Sequence, residues 1–111
     1  MPSDKDYLFY ILDCLSGIEG VEYRPMMGEY IIYYKGKVIG GIYDDRFLIK
    51  IVPSAEILMP DASREIPYET AKPMLLVEDT DNREFLQKLF DAVYPELPLP
   101  KPKNKNRRTV G

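Results

Sequence analysis

The sequence has 111 residues, with fifteen basic and eighteen acidic side chains, no histidine, no tryptophan and one cysteine. This length predicts a single domain, which can bury roughly 60–70% of its unfolded surface without a metal or a disulfide. One cysteine excludes an internal disulfide, and no stretch approaches the ~20 apolar residues of a transmembrane helix. The acidic start of the chain is unlike a signal peptide, so we expect a cytoplasmic protein with no membrane partner.

Charge is unevenly distributed along the chain. The last eleven residues contain five basic side chains and no acidic one. The other hundred residues hold ten basic and eighteen acidic side chains, which is a net charge of −8. The sequence therefore predicts an acidic body followed by a basic tail.

The first predicted element is a helix over residues 4–16. Ser3 is its expected N-cap with Asp6 as the acid of a capping box, and Gly17 is the expected C-terminal glycine. Phe9 falls on the opposite, acidic side, where we expect it to be exposed. The apolar positions recur at helical spacing, at Tyr7, Leu8, Ile11, Cys14 and Leu15.

Extended segments joined by short loops follow the helix. Residues 21–27 are a first candidate strand, in which Pro25 suits an edge or a bulge. The turns between the later strands are predicted at Lys35-Gly36 and Asp44-Asp45. Loops this short favour antiparallel pairing. The three strands expected to pair are Tyr30–Tyr34, Lys37–Tyr43 and Arg46–Val52.

The last of these strands alternates in polarity. One set of its side chains should face the two main helices, and the other set should face solvent. The inward set is Phe47, Ile49 and Ile51, and the outward set is Arg46, Leu48 and Lys50. This is the pattern of a half-buried antiparallel strand.

The second half of the chain contains weaker signals and one strong helix. Residues 53–59 are expected to form two helical turns, Ile66–Glu69 a weak strand and Met74–Glu78 a better one. Asp81 and Glu84 form the capping box of the clearest helix. Its apolar stripe is Phe85, Leu86, Leu89, Phe90 and Val93.

The predicted fold is α+β, an antiparallel sheet flanked by helices with the element order α-βββ-(α)-ββ-α. Residues 1–94 make up this domain. From residue 95 onward, four prolines are mixed with polar and basic residues, and such a segment buries too little apolar surface to offset its ordering entropy. Residues 95–111 are therefore predicted to be a Pro-rich, basic and disordered tail.

The sequence offers little catalytic chemistry. Histidine, the commonest general base and metal ligand, is absent. Cys14 lies on an apolar helix stripe without a histidine partner, so we expect a core thiol rather than a nucleophile. Asp44-Asp45-Arg46 is typical of a hairpin turn, and Gly40-Gly41 of a bulge or of close helix packing on the sheet. We predict no catalytic residues, no cofactor and no metal, and hence not an enzyme.

The tail supplies the candidate nucleic-acid contacts, Lys101, Lys103, Lys105, Arg107 and Arg108. Such side chains pair with phosphates. No aromatic residue is interleaved with them to stack on bases, so solubility or charge balance is the expected role. Nucleic acid is not predicted to be the main partner.

Two segments carry a family resemblance. The first runs from Arg24-Pro25-Met26-Met27-Gly28-Glu29-Tyr30 through Tyr34-Lys35-Gly36-Lys37 to Asp44-Asp45-Arg46-Phe47-Leu48-Ile49-Lys50. The second is Lys72-Pro73-Met74-Leu75-Leu76-Val77-Glu78. Together they resemble the N-terminal domain of the TfoX/Sxy family of bacterial competence regulators, in which a glycine hairpin, an aspartate before an apolar strand and a Lys-Pro-Met strand occur in this order. The agreement covers residues 5–94.

The resemblance implies an antiparallel sheet flanked by helices, similar to secretion-chaperone-like domains, and is compatible with a homodimer. It implies a regulatory role in competence and brings no catalytic residues with it. The expected function is a non-enzymatic regulatory and protein-interaction module with an unidentified protein partner. The alternatives are a nucleic-acid-associated accessory protein that uses the basic tail, and a small enzyme.

Overall fold

The computed structural model of the protein describes residues 4–99. Its fold is α+β, as predicted, with one six-stranded antiparallel sheet and helices. The helices are α1 (Lys5–Cys14), α2 (Pro53–Leu58) and α3 (Arg83–Val93), and a 3-10 turn follows at Tyr94–Glu96. The strands are β1 (Val21–Met26), β2 (Glu29–Tyr34), β3 (Lys37–Ile42), β4 (Phe47–Ile49), β5 (Arg64–Glu65) and β6 (Met74–Leu76).

The strands lie in the order β1-β2-β3-β4-β6-β5, and each neighbouring pair is antiparallel. The predicted pairing of β2, β3 and β4 is confirmed. The candidate segment with Pro25 is a full strand, so four strands precede α2 where the predicted order counted three. It is an edge strand of the described sheet, where a missing N–H is tolerated.

Strands β1 to β4 follow one another as a meander, and three two-residue turns between them set its register. In each turn both residues have positive φ: 51° and 86° in Met27-Gly28, 50° and 86° in Lys35-Gly36, and 52° and 56° in Asp44-Asp45. This is type I′ geometry, whose twist matches that of the flanking strands. The turns predicted at Lys35-Gly36 and Asp44-Asp45 are confirmed.

Gly40 and Gly41 lie where β3 crowds its neighbours. A Cβ on Gly40 would lie 2.0 Å from the carbonyl oxygen of Leu48. A Cβ on Gly41 would lie 2.6 Å from the carbonyl oxygen of Tyr30 and 2.6 Å from the ring of Tyr43. The close approach is therefore to neighbouring strands and a tyrosine ring, and not to a helix.

A bulge adjoins this glycine pair, as predicted. Ile32 on β2 pairs with Gly40, but the next residue, Tyr33, pairs with Val38. Ile39 is thus the extra residue of β3, and its side chain is fully buried in the core. Such a bulge increases the local twist and re-aims side chains.

α1 and α3 cover one face of the sheet and enclose a continuous core. Phe47 and Ile49 face this core, as predicted, and Cys14 lies in it as a free thiol. Its deeply buried side chains include Leu8 and Ile11 from α1, Ile32, Phe47 and Ile49 from the sheet, and Leu86, Leu89 and Phe90 from α3.

The helix caps differ by one residue from those predicted. At the start of α1 the cap is Asp4, which accepts a hydrogen bond from the N–H of Asp6, and the predicted cap Ser3 lies outside the described residues. In α3 Asn82, and not Asp81, accepts a first-turn N–H. Asp and Asn are both good N-cap residues, so the position at which the helix starts decides between Asp81 and Asn82. Gly17 is not the C-terminal cap, because α1 ends at Cys14 and this glycine has no positive φ.

The outward face of β4 is not solvated, so the prediction of a half-buried strand was wrong. Leu48 is fully buried. The ring of Tyr43 lies over Gly41, which pairs with Leu48, and the ring centroid of Tyr68 lies 5.9 Å from that of Tyr43. Tyr68 comes from a segment distant in sequence, and strand alternation carries no information about such a contact.

The predicted strand at Ile66–Glu69 was also wrong, because β5 is Arg64–Glu65. The carbonyl oxygens of Ile66 and Pro67 accept hydrogen bonds from the Arg46 side chain, at 3.3 and 3.5 Å. These backbone groups are therefore not available to a strand ladder.

Packing continues beyond residue 94, where the domain was predicted to end. Leu97 is only 4% exposed and belongs to the core. The carboxylate of Glu96 accepts hydrogen bonds from the backbone N–H and the hydroxyl of Ser54, at 2.8 and 2.7 Å. The packed body thus extends at least to Leu97.

The hydroxyl of Tyr34 joins the sheet to α3 by donating to Oδ1 of Asp91 at 2.6 Å. This hydrogen bond holds the pKa of Asp91 below its ordinary value, and a second one from Gln87 adds to the effect. A carboxyl whose pKa is lower in the folded state stabilises the fold above its unfolded pKa, about 3.9. That contribution is lost as the pH falls through the folded pKa.

We expect Tyr34→Phe to lower the free energy of unfolding by about 1 kcal/mol at pH 7, the usual contribution of a hydrogen bond. The difference from the wild type should begin to narrow as the pH is lowered toward pH 3, because the stability linked to the lowered pKa of Asp91 starts to be lost below its unfolded pKa of about 3.9. Urea unfolding at the two pH values measures this. Tyr33→Phe, at a half-exposed neighbour, should show no such dependence, and an equal loss from Tyr34→Phe at both pH values would contradict the assignment.

Candidate functional site

An open groove of about 760 Å³ lies on the face of the sheet opposite α1 and α3. Its floor includes Ile31, Val38 and Met74, which alternate along their strands with core residues, and Lys50, which directly follows β4. Its opposite wall comes from residues 66–73, which we call the crossing segment. This groove is the candidate functional site.

Arg46 holds the crossing segment in place. Its Nη1 pairs with Oε1 of Glu65 at 2.8 Å, and its Nη2 donates to the carbonyl oxygens of Ile66 and Pro67. Its Nε donates to the carbonyl oxygen of Tyr43 at 3.1 Å. The planar guanidinium therefore bridges the β3–β4 turn and the crossing segment, a role that its fixed donor geometry suits.

Tyr43 and Tyr68 supply an aromatic pair to the groove. Tyr43 is buried, and its burial is the main cause that raises the pKa of its hydroxyl. Tyr68, on the crossing segment, is 52% exposed. The ring of Tyr68 thus contacts the buried ring of Tyr43 on one side and is open to a ligand on the other.

Thr70 lies in a strained backbone conformation on the crossing segment. Its φ is 76°, which is uncommon for a β-branched residue. The N–H of Ala71 donates to the carbonyl oxygen of Tyr68 at 3.0 Å, which closes a tight turn around it. Such strain costs about 1–3 kcal/mol and is found preferentially in binding segments.

We expect Thr70→Gly to raise the free energy of unfolding by about 1 kcal/mol, because glycine adopts positive φ without strain. The melting temperature should rise by roughly 4–8 °C. Ala71→Gly is the matched control, since this neighbour has no positive φ, and it should lower stability. If the Thr70→Gly variant melted at a lower temperature than the wild type, the backbone of Thr70 would not be strained.

Lys50 is the unusual charged group of the groove floor. Its side chain is half-buried, and burial alone lowers the pKa of its ammonium group. Within residues 4–99 this ammonium group makes no hydrogen bond and no ion pair. A partly desolvated cation without a partner costs free energy, which an incoming anion would relieve.

Two further cations line the groove, Arg64 and Lys72. Arg64 is paired with Glu56 of α2, whereas Lys72 is exposed and has no side-chain partner in the described part of the chain. None of the described lining residues is acidic. The groove is therefore positive in a body whose net charge is −8.

Among the side chains that were weighed from the sequence as catalytic candidates, those of Asp44, Asp45, Arg46 and Cys14 have structural roles. Asp44-Asp45-Arg46 forms a turn and a clamp, and Cys14 is 7% exposed in the core. The five candidate nucleic-acid contacts lie outside the described residues, so that interpretation stays a prediction. They are Lys101, Lys103, Lys105, Arg107 and Arg108.

Two broader findings concern the described part of the chain. Within residues 4–99, no three cysteine or acidic side chains gather closely enough to hold a metal ion. No helix in that range has the length and apolar character needed to cross a bilayer.

Sequence reasoning missed the groove as a site. It placed Lys50 on the outward side of β4, but it treated that side as plain solvent. The signal that could have revealed it was the size of Tyr43 and Leu48, two large apolar residues near the same outward face. Such a surplus of apolar surface indicates that something covers or binds there.

Comparisons with known proteins give a relative of low identity that aligns over nearly its whole length. No protein-family model matches the chain, and no solved structure matches it. One curated relative, an uncharacterized 12.7 kDa protein in the trpE 5′ region of Spirochaeta aurantia, is 28% identical over 112 residues. The alignment covers 100% of this chain and 97% of the relative. The two chains thus align over nearly their whole lengths, and the resemblance to the TfoX/Sxy family stays a prediction.

Proposed function

We propose that this chain is a non-enzymatic, cytoplasmic interaction module, of the regulatory kind that the TfoX/Sxy resemblance implies, and that it binds a protein partner through the groove. The observation that supports this most is the composition of the groove. It combines an apolar floor with the exposed aromatic ring of Tyr68 on a sheet face that the helices leave free. Apolar surface with aromatic anchors is typical of protein-binding sites.

The chemistry of the lining favours binding over catalysis. Its described residues include no histidine, cysteine, serine or carboxylate, so no nucleophile is paired with a base there. Its titratable groups are lysine, arginine and tyrosine side chains. These serve recognition by charge, hydrogen bonding and stacking.

The test is capture of partner proteins from the native organism by the full chain and by two tryptophan variants. Val38→Trp fills the groove floor, and Ile57→Trp changes a 77% exposed residue of α2 that does not line the groove. Both variants must first melt close to the wild type. The proposal expects proteins that the wild type and Ile57→Trp retain but Val38→Trp loses. Equal retention by all three chains would contradict it.

A further inference from the structure

The charge of the groove selects the chemistry of its occupant. Lys50, directly after β4, lies in an otherwise apolar floor, and Lys72 lies at the wall. Neither has a side-chain partner within residues 4–99. A ligand carboxylate next to Lys50 would gain a charge-assisted hydrogen bond, and its negative charge would offset the cost of the partial desolvation of the ammonium group.

The apolar residues that line the rest of the groove favour a ligand that has apolar side chains beside its carboxylate. Met26, Ile31, Val38 and Met74 are each half-exposed in the free chain. Methionine side chains are flexible and polarizable, so they adapt to ligand side chains of different shapes. The groove is open rather than enclosed, which suits a peptide segment more than a small molecule that must be largely buried.

The positive charge of the groove disfavours binding of the chain's own basic tail. The residues after Leu99 include five basic side chains and no acidic one. They have the same sign as Lys50 and Lys72, so placing them in the groove would add repulsion. A separate acidic segment has the complementary charge.

We propose that the groove binds a peptide segment of a protein partner in which apolar side chains flank an acidic residue, whose carboxylate pairs with Lys50. The inference rests on the proposed function, because it names the chemistry of the partner. The acidic body repels acidic partners at a distance, so the positive groove confers specificity of docking rather than faster encounter.

The experiment is selection from a library of random twelve-residue peptides displayed against the full chain. Enriched peptides should carry an aspartate or glutamate next to apolar residues. Their affinity should fall about tenfold or more in Lys50→Met, whose unbranched side chain is one heavy atom shorter and carries no charge. Lys50→Arg should retain most of the affinity. Lys88→Met, at an exposed lysine of α3 outside the groove, should bind like the wild type.

Several outcomes would overturn this inference, and they separate it from the proposed function. Peptides that lack acidic residues but are lost in Val38→Trp would leave groove binding standing and remove the charge argument. Peptides that bind Val38→Trp as well as the wild type, or no enriched peptide at all, would remove both. Self-association of the chain that disappears in Lys50→Met, measured by sedimentation, would make a second copy the occupant and also overturn the peptide assignment.

Discussion

The variant Gly40→Ala should lose about 3 kcal/mol or more of its free energy of unfolding. The new methyl group would lie 2.0 Å from the carbonyl oxygen of Leu48 and 2.8 Å from the Cα of Ile49. Both are backbone atoms of the neighbouring strand and cannot rotate away, so β3 and β4 must separate. Thermal melting should show the loss as a fall of more than about 10 °C.

Gly17→Ala is the matched control for that experiment. A Cβ at Gly17 has nothing within 4 Å, and the residue has no positive φ. We expect its stability to stay within about 0.5 kcal/mol of the wild type, the usual range for surface changes. If Gly40→Ala lost no more than this control, the close pairing of β3 and β4 would be refuted.

The second large effect is expected from Ile49→Ala, at about 2–5 kcal/mol, the range for deletion of a buried isoleucine side chain. Ile49 is fully buried between the sheet and the helices. Ile57→Ala, at a 77% exposed residue, should cost far less. Guanidinium unfolding of both variants decides the matter. A loss below about 0.5 kcal/mol for Ile49→Ala, no more than a surface change costs, would contradict the burial of Ile49 in the core.

Local signals predicted much of this fold. The dipeptides Lys35-Gly36 and Asp44-Asp45 have residues that tolerate positive φ, and both form type I′ turns. The spacing of apolar residues in α3 gave its buried face correctly. These features depend on residues that are close in sequence, so periodicity and turn chemistry contain the information.

Features that depend on distant residues were not accessible in the same way. Leu48 is buried on the outward face, where the ring of Tyr68 from the crossing segment lies close to that of Tyr43, and Arg46 fixes that segment. The position of β5 depends on pairing with β6 across residues 66–73. The groove exists only once these contacts form, so the alternation placed Lys50 on the outward face of the sheet but could not reveal the groove around it.

The connections of the sheet also determine the order in which its parts gain and lose structure. β1 to β4 are joined by short turns, whereas residues 50–73 separate β4 from its partner β6. Closing the long connection costs more entropy, so the meander should form early and the groove wall late.

Amide hydrogens of β5 and β6 should accordingly exchange with solvent faster than those of β2 and β3. A ligand that bridges floor and wall would slow exchange at the wall most, so hydrogen exchange would detect occupancy of the groove even by a ligand whose identity is unknown.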